Sequence, residues 1–280
     1  MNGFGELHRV YVRAPLAGDL SAWREYGWHR EPDHLAASRE HEAFRALLAE
    51  AGAEVMMGTP LASGDPDSIY TYDPTLITDE GAILLSPGKP GRRSEPEHCA
   101  RDLEAAGIPV VAALEPPAHA EGGDAFFLDD RTLLVGLGYR TGEQGVAQIR
   151  ALLEPSGIAV RAFDLPHLHG PRSCLHLMSF ISPLDADLVV AYPPLMPVRL
   201  IQLLRDRDIE LVEVPEEEFP TMGPNVLALG PRIALALDGN PGTRRRMEAA
   251  GVDVRTYRGE QISRNGDGGP TCLTRPLARG

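Results

Sequence analysis

The residues with the most chemistry in their surroundings lie in Asp267-Gly268-Gly269-Pro270-Thr271-Cys272-Leu273-Thr274. The glycine pair and the proline force a turn, and a thiol follows at the start of a short apolar stretch. That layout predicts Cys272 at the mouth of a strand, facing a cavity. A cysteine alone is more often a small buried apolar residue. Two features favour a nucleophile instead: the glycines, which let a ligand approach the backbone closely, and the polar residues upstream. These are Asp67 and Asp73 in Asp67-Ser68-Ile69-Tyr70-Thr71-Tyr72-Asp73-Pro74, Glu121 and Asp124 in Glu121-Gly122-Gly123-Asp124, and His176 in Cys174-Leu175-His176-Leu177-Met178-Ser179. Singly, each has a plainer reading as a turn former or a hydrogen-bonded core histidine. Together they say more, because carboxylates beside a thiol are unfavourable unless a cation lies between them. The set predicts a planar, cationic substrate rich in N–H donors, which describes a guanidinium.

Residues so far apart converge only if the chain repeats. A strand-like phrase returns at Gly52-Ala53-Glu54-Val55, Gly107-Ile108-Pro109-Val110, Gly157-Ile158-Ala159-Val160, Asp208-Ile209-Glu210-Leu211 and Gly251-Val252-Asp253-Val254. The spacing averages about 50 residues, the length of a repeated supersecondary unit. Helical apolar periodicity precedes each phrase, over His41 to Ala51, Glu95 to Ala106, Gly142 to Leu153, Val198 to Arg207 and Thr243 to Ala250. Gly52, Gly107, Gly157 and Gly251 stand where a helix-terminating glycine belongs.

Apolar pairs joined by short polar turns read as hairpins: Ile69 to Ile77 with Ala82 to Leu85, Ala125 to Leu128 with Leu133 to Leu137, Leu177 to Ile181 with Leu188 to Tyr192, and Val226 to Leu229 with Ile233 to Leu237. Five strand-strand-helix-strand units, none able to cover its own sheet, predict one α/β domain over residues 1–280, closed as a ring with helices outside. The first unit is irregular. After a strand at Arg9 to Val12, Ala14 to Pro32 reads either as a lid over the cavity or as a packed surface loop.

With 43% hydrophobic residues the 280-residue chain can bury a full core, and its formal charge of −13 argues against nucleic acid or an anionic membrane as the main partner. Lys89 is the only lysine. Three widely spaced cysteines (Cys99, Cys174, Cys272) fit a reducing compartment, and neither a signal peptide nor an apolar span is recognisable. The expected location is the cytoplasm.

Read in order, Asp73-Pro74, Glu121-Gly122-Gly123-Asp124, Gly138-Tyr139-Arg140-Thr141, His176-Leu177, Asn225-Val226 and Gly268-Gly269-Pro270-Thr271-Cys272 resemble the guanidine-modifying enzyme (pentein) superfamily. The resemblance spans nearly the whole chain and implies a five-bladed α/β propeller around a central active-site cavity. Within that superfamily the chain is most similar to the dimethylarginine dimethylaminohydrolases, with arginine deiminases as near relatives. Its length lacks the helical insertion of the deiminases, and Leu175 to Phe180 lies near the dimethylaminohydrolase form of the histidine motif. Deiminases and amidinotransferases usually carry an aspartate two residues after that histidine. Met178 stands there instead, which implies a substituted guanidine. Thr71 to Pro74 and Gly268 to Cys272 lean towards the deiminases.

Carried onto this chain, the resemblance implies Cys272 as nucleophile, His176 as general acid and base, and Asp73 and Glu121 as the grip on the guanidinium. It implies Arg92 and Arg140 on the substrate carboxylate, Asp267 near the leaving amine and Leu20 in the lid, with Asp67 as a further site member. The acid that often precedes the family's aspartate is replaced by Tyr72. The implied partner is a small guanidino amino acid and no cofactor or metal is required; a homodimer is compatible. The implied reaction converts a methylated arginine to citrulline and an amine through a covalent thiouronium, with arginine deimination or amidino transfer as alternatives. Two further alternatives come from other classes. His167-Leu168-His169 with Cys174 and His176 offers zinc-type ligands at no standard spacing. The same architecture also resembles a non-catalytic ribosome anti-association factor.

Overall fold

A computed structural model of the protein describes residues 2–60, 64–171 and 174–280. The strands form five three-stranded sheets. β1 (Leu7–Val12) and β2 (Glu54–Met57) lie in the first. β3 (Thr75–Thr78), β4 (Gly81–Leu84) and β5 (Val110–Ala113) make the second, and β6 (Ala125–Asp129), β7 (Thr132–Leu137) and β8 (Ala159–Asp164) the third. β9 (Ile181–Asp185), β10 (Leu188–Ala191) and β11 (Glu210–Glu213) form the fourth, β12 (Val226–Gly230), β13 (Ile233–Leu237) and β14 (Asp253–Tyr257) the fifth, and β15 (Arg275–Arg279) returns to the first. In every sheet the middle strand pairs antiparallel with one neighbour and parallel with the other. The antiparallel partners β3, β6, β9, β12 and β15 are almost wholly buried, whereas the parallel partners show exposed and intermediate positions. A continuous apolar run is what a strand covered on both faces requires, so the antiparallel set lies inside. β9 touches β12 and β15 touches β3, linking one sheet to the next. The architecture is the expected five-bladed α/β propeller, closed where β1 pairs with β15 through Val10 and Pro276 and through Tyr11 and Arg275.

The parallel step in each blade needs a crossover. Five helices supply it: His34–Glu50, Glu95–Ala105, Glu143–Leu153, Val198–Asp206 and Pro241–Ala249. The anticipated glycines close four crossovers in the left-handed region, with φ of +96° at Gly52, +80° at Gly107, +79° at Gly157 and +83° at Gly251. The remaining crossover turns at Asp208, at φ +53°.

Several expected boundaries move. The first crossover helix begins at His34 rather than His41, because Asp33 caps it by accepting the Ala36 N–H at 2.9 Å. The expected strand from Ile69 starts only at Thr75, since Pro66–Ile69 forms a 3₁₀ turn capped by Asp65. The expected strand Leu177 to Ile181 is displaced to Ile181–Asp185. Leu177–Ser179 winds into a 3₁₀ turn in which the Ser179 hydroxyl accepts the His176 N–H and Asp124 accepts the Leu177 N–H, both at 2.9 Å. Ala14 to Pro32 contains two short helices, Ala17–Leu20 and Trp23–Tyr26. No helix among the described residues is long and apolar enough to cross a membrane.

Asp208 is exposed and holds a conformation that glycine adopts without strain. Asp208→Gly is expected to raise stability by at most about 1 kcal/mol, the low end of the cost of this conformation because aspartate tolerates it better than most residues, read from the denaturant midpoint; an unchanged or lowered midpoint contradicts the strain at this turn.

Candidate active site

The inner strands begin at Thr75, Ala125, Ile181, Val226 and Arg275, and Asp73, Glu121 with Asp124, His176, Asn225 and Cys272 stand just ahead of them. The repeat therefore delivers one functional group per blade to the same end of the axis. Cys272, His176, Asp73, Asp67, Arg140 and Asp267 line one cleft of about 510 Å³.

Cys272 is half-buried, and its sulfur accepts an N–H from the Asn225 side chain at 3.4 Å. Asn225 Oδ1 in turn accepts the Thr271 N–H at 3.1 Å, so one amide fixes both the thiol and its turn. Gly269 packs so tightly on Asn225 that a side chain there would collide with it. Burial, and then the negative charge of Asp73, push the thiol up to about 12, with His176 and the Asn225 bond pulling the other way.

His176 is buried, and its Nε2 lies 2.7 Å from Glu121 Oε2. Its Nδ1 faces Cys174 Sγ at 3.6 Å and Asp73 Oδ1 at 4.0 Å. Burial alone would favour neutral imidazole, but Cys174, Asp73 and Asp124 raise its affinity for a proton well above the usual histidine range. Gly123 carries no side chain because one would strike His176. Its N–H donates to Asp73 Oδ1 at 2.8 Å, while Arg92 holds the other oxygen of Asp73.

Glu121 has no exposed surface and does not line the cleft. Its oxygens accept from Arg140 at 2.9 and 3.1 Å, from the Lys89 N–H at 3.1 Å and face His176. Burial would protonate it, but His176, Arg140 and Arg92 hold it well below the ordinary carboxylate range. The structure thus places Glu121 behind the imidazole, against Nε2 of His176, and off the cleft wall. Asp73 keeps its place at the cleft.

Arg92 also reaches the cleft wall, but its donors go to Asp73, to Glu95 at 2.6 and 2.8 Å and to the Tyr70 carbonyl at 2.8 Å. It braces Asp73, and Arg140 is left as the more available of the two expected carboxylate ligands. Leu20, expected in the lid, is buried in the core beside Trp28 and Tyr70 and does not line the cleft; Tyr26 and its neighbours do. Met178 is buried and points to the axis, away from the cleft. Asp267 is half-exposed and pairs with His29 at 2.9 Å. Of the zinc-type ligands, His167 instead meets the Tyr139 hydroxyl at 2.7 Å.

Sequence reasoning missed Lys89 and Asn225 as site members. Lys89 donates to the Tyr26 carbonyl at 2.8 Å and pairs with Asp67, whose other oxygen accepts the Trp28 indole N–H at 2.8 Å. These contacts tie the segment around Tyr26 to the cleft wall. The signal for Lys89 was its uniqueness as the chain's one lysine, next to Pro90-Gly91-Arg92.

A family model described as N,N dimethylarginine dimethylhydrolase, eukaryotic, matches residues 25–279. The chain belongs to this family. It is 26% identical to the N(G),N(G)-dimethylarginine dimethylaminohydrolase of Pseudomonas aeruginosa, over 87% of this chain and 89% of that protein. It is also 26% identical to the arginine deiminase of Rhodococcus erythropolis, over 84% of this chain and 67% of that protein. Among solved structures it is similar to the N-terminal domain of ArgZ, an arginine dihydrolase of cyanobacteria, with a TM-score of 0.83 at 21% identity over 97% of each chain. A variant of that domain has also been seen covalently bonded to a reaction intermediate. Membership of the family makes the chain a guanidine-modifying hydrolase that cleaves C–N bonds in linear amidines.

A thiol raised to about 12 is almost wholly protonated at neutral pH. In a Cys174→Ser background, which removes the exposed second thiol of the cleft, the rate of Cys272 alkylation by iodoacetamide is expected to keep rising up to pH 10. A plateau below pH 9 contradicts this environment.

Proposed function

We propose that the chain hydrolyses an Nω-methylated arginine to citrulline and methylamine or dimethylamine, with Cys272 as the nucleophile. The observation that carries this reading is the meeting of Cys272, His176 and Asp73 in one cleft, with Glu121 on the far nitrogen of the imidazole. The guanidinium lies against Asp73 and lowers the free energy of the Cys272 thiolate by direct charge pairing, so the thiol proton leaves as the cation binds. Sulfur adds to the central carbon. His176, protonated and held by Glu121, gives a proton to the departing amine, and the C–N bond breaks to leave a cationic S-alkylthiouronium. Neutral His176 then takes a proton from water as the oxygen adds to the same carbon. The C–S bond breaks, its electron pair returns to sulfur, the proton left on the added oxygen passes to that sulfur, and citrulline leaves with the Cys272 thiol restored. Asp73, fixed by Arg92 and the Gly123 N–H, supplies orientation and electrostatic stabilisation. Arg140 meets the substrate carboxylate.

A methylated rather than an unsubstituted guanidine is supported by Met178. It stands where the deiminases usually carry an aspartate two residues after the histidine, so this chain lacks the acid that holds unsubstituted guanidinium nitrogens in those relatives.

A substrate panel with mass detection of both products tests the reading. Dimethylarginine and monomethylarginine are expected to yield citrulline with the matching amine, and Cys272→Ser or His176→Ala to lower turnover by about 10²–10⁴-fold. Ammonia and citrulline from arginine in preference to the methylated substrates would assign deimination instead. Citrulline formation near the wild-type rate by either variant would overturn the mechanism.

A further inference from the structure

The propeller axis has a second end. Below the turn that carries Cys272, a cavity of about 40 Å³ is lined by Tyr72, Met178, Thr271, Arg275 and Arg279, with Asn2 at its rim. Three arginines of the described residues are deeply buried: Arg13, Arg92 and Arg275. Arg13 is paired with Asp102, and Arg92 with Asp73 and Glu95. Arg275 has no such partner. It is 4% exposed, stacks 3.5 Å from the centre of the Tyr72 ring and donates one N–H to the Tyr72 carbonyl, while its Nε meets no acceptor among the described residues.

Four residues on, Arg279 donates to the Gly5 carbonyl at 2.6 Å and to the Ala228 carbonyl at 2.9 Å, again with no carboxylate partner among the described residues. Burial, and then the charge of Arg275, push Arg279 down to about 10 despite the Tyr72 contribution. Two like charges therefore share one small cavity. Arg275 does feel the field of Asp73, but that carboxylate is already held by Arg92 and Gly123.

A guanidinium as deeply buried as Arg275, with the half-buried Arg279 beside it and no counter-charge on either, is strongly disfavoured, and carbonyl oxygens offset only part of that. A cavity of about 40 Å³ exceeds the 10–15 Å³ that one water-sized particle needs. We propose that this axial cavity is a binding site for a small monovalent anion of the halide class, held by Arg275 and Arg279. The ion neutralises the base of the nucleophile's turn, because Thr271 and Arg275 flank Cys272 in sequence and the Tyr72 N–H donates to the Cys272 carbonyl at 3.3 Å. The site is separate from the cleft and does not depend on the reaction proposed there.

Thermal unfolding of the full chain in sodium chloride and in sodium gluconate, at matched ionic strength, tests this. The midpoint in 300 mM chloride is expected to lie roughly 4 °C above that in gluconate and to follow a saturable titration. Arg275→Met removes the difference, and Arg279→Met carries the same expectation if the first variant does not fold. Crystals of the unmodified protein grown in bromide are expected to show an anomalous peak between the two arginines. Equal midpoints in the two salts, or an axial cavity without anomalous signal, overturn the proposal.

Discussion

A carboxylate with no exposed surface governs the rest of the cleft. Glu121 stays ionised only because His176, Arg140 and the Lys89 N–H converge on it. Removing one member of such a buried group typically destabilises a protein by about 3–5 kcal/mol, so the cluster keeps its geometry without a ligand to hold it. Cys174, Asp73 and Asp124 favour the charged imidazole, and the Glu121 contact fixes Nε2 so that Nδ1 faces Cys174 and Asp73. Beside it Arg92, anchored by Glu95, does for Asp73 what Arg140 does for Glu121. Two arginines thus serve two acids, and catalytic orientation follows from charge compensation in a low-dielectric interior.

The thiol sits in the opposite situation. Nothing cationic compensates it fully, and both burial and Asp73 keep the proton on sulfur. In the proposed reaction the substrate brings the missing positive charge, so a neutral urea product loses the attraction that drew the guanidinium in. Selectivity for a cation and release of the product then come from one electrostatic arrangement.

Much of this was legible in the sequence because repetition is a local signal. The strand-like phrases, the helices before them and the glycines at positive φ each depend on a few neighbouring residues, and five copies reinforced one another. The expected residues Cys272, His176 and Asp73 gather as anticipated, because each blade delivers its entry turn to the same end. Element starts were less readable where side chains redirected the backbone, as Asp33, Asp65 and Ser179 do. Roles that depend on which way a side chain points were not readable at all. Glu121 and Arg92 lie in motifs that mark them as site residues, yet whether an acid faces a substrate or an imidazole is decided by partners up to 55 residues away. Leu20 likewise lies in one apolar cluster with Trp28 and Tyr70, neighbours that its place in the sequence does not reveal.

The pairing of β1 with β15 has a consequence for assembly. The strand that follows Cys272 is also the one that seals the circle, its Arg275 lying opposite Tyr11. Until the two extremities of the fold have met, the sulfur has no fixed place relative to His176. Contacts of such long sequence separation form late and slowly. The position of Cys272 relative to His176 therefore depends on the closing pair, with the last strand acting as the clasp.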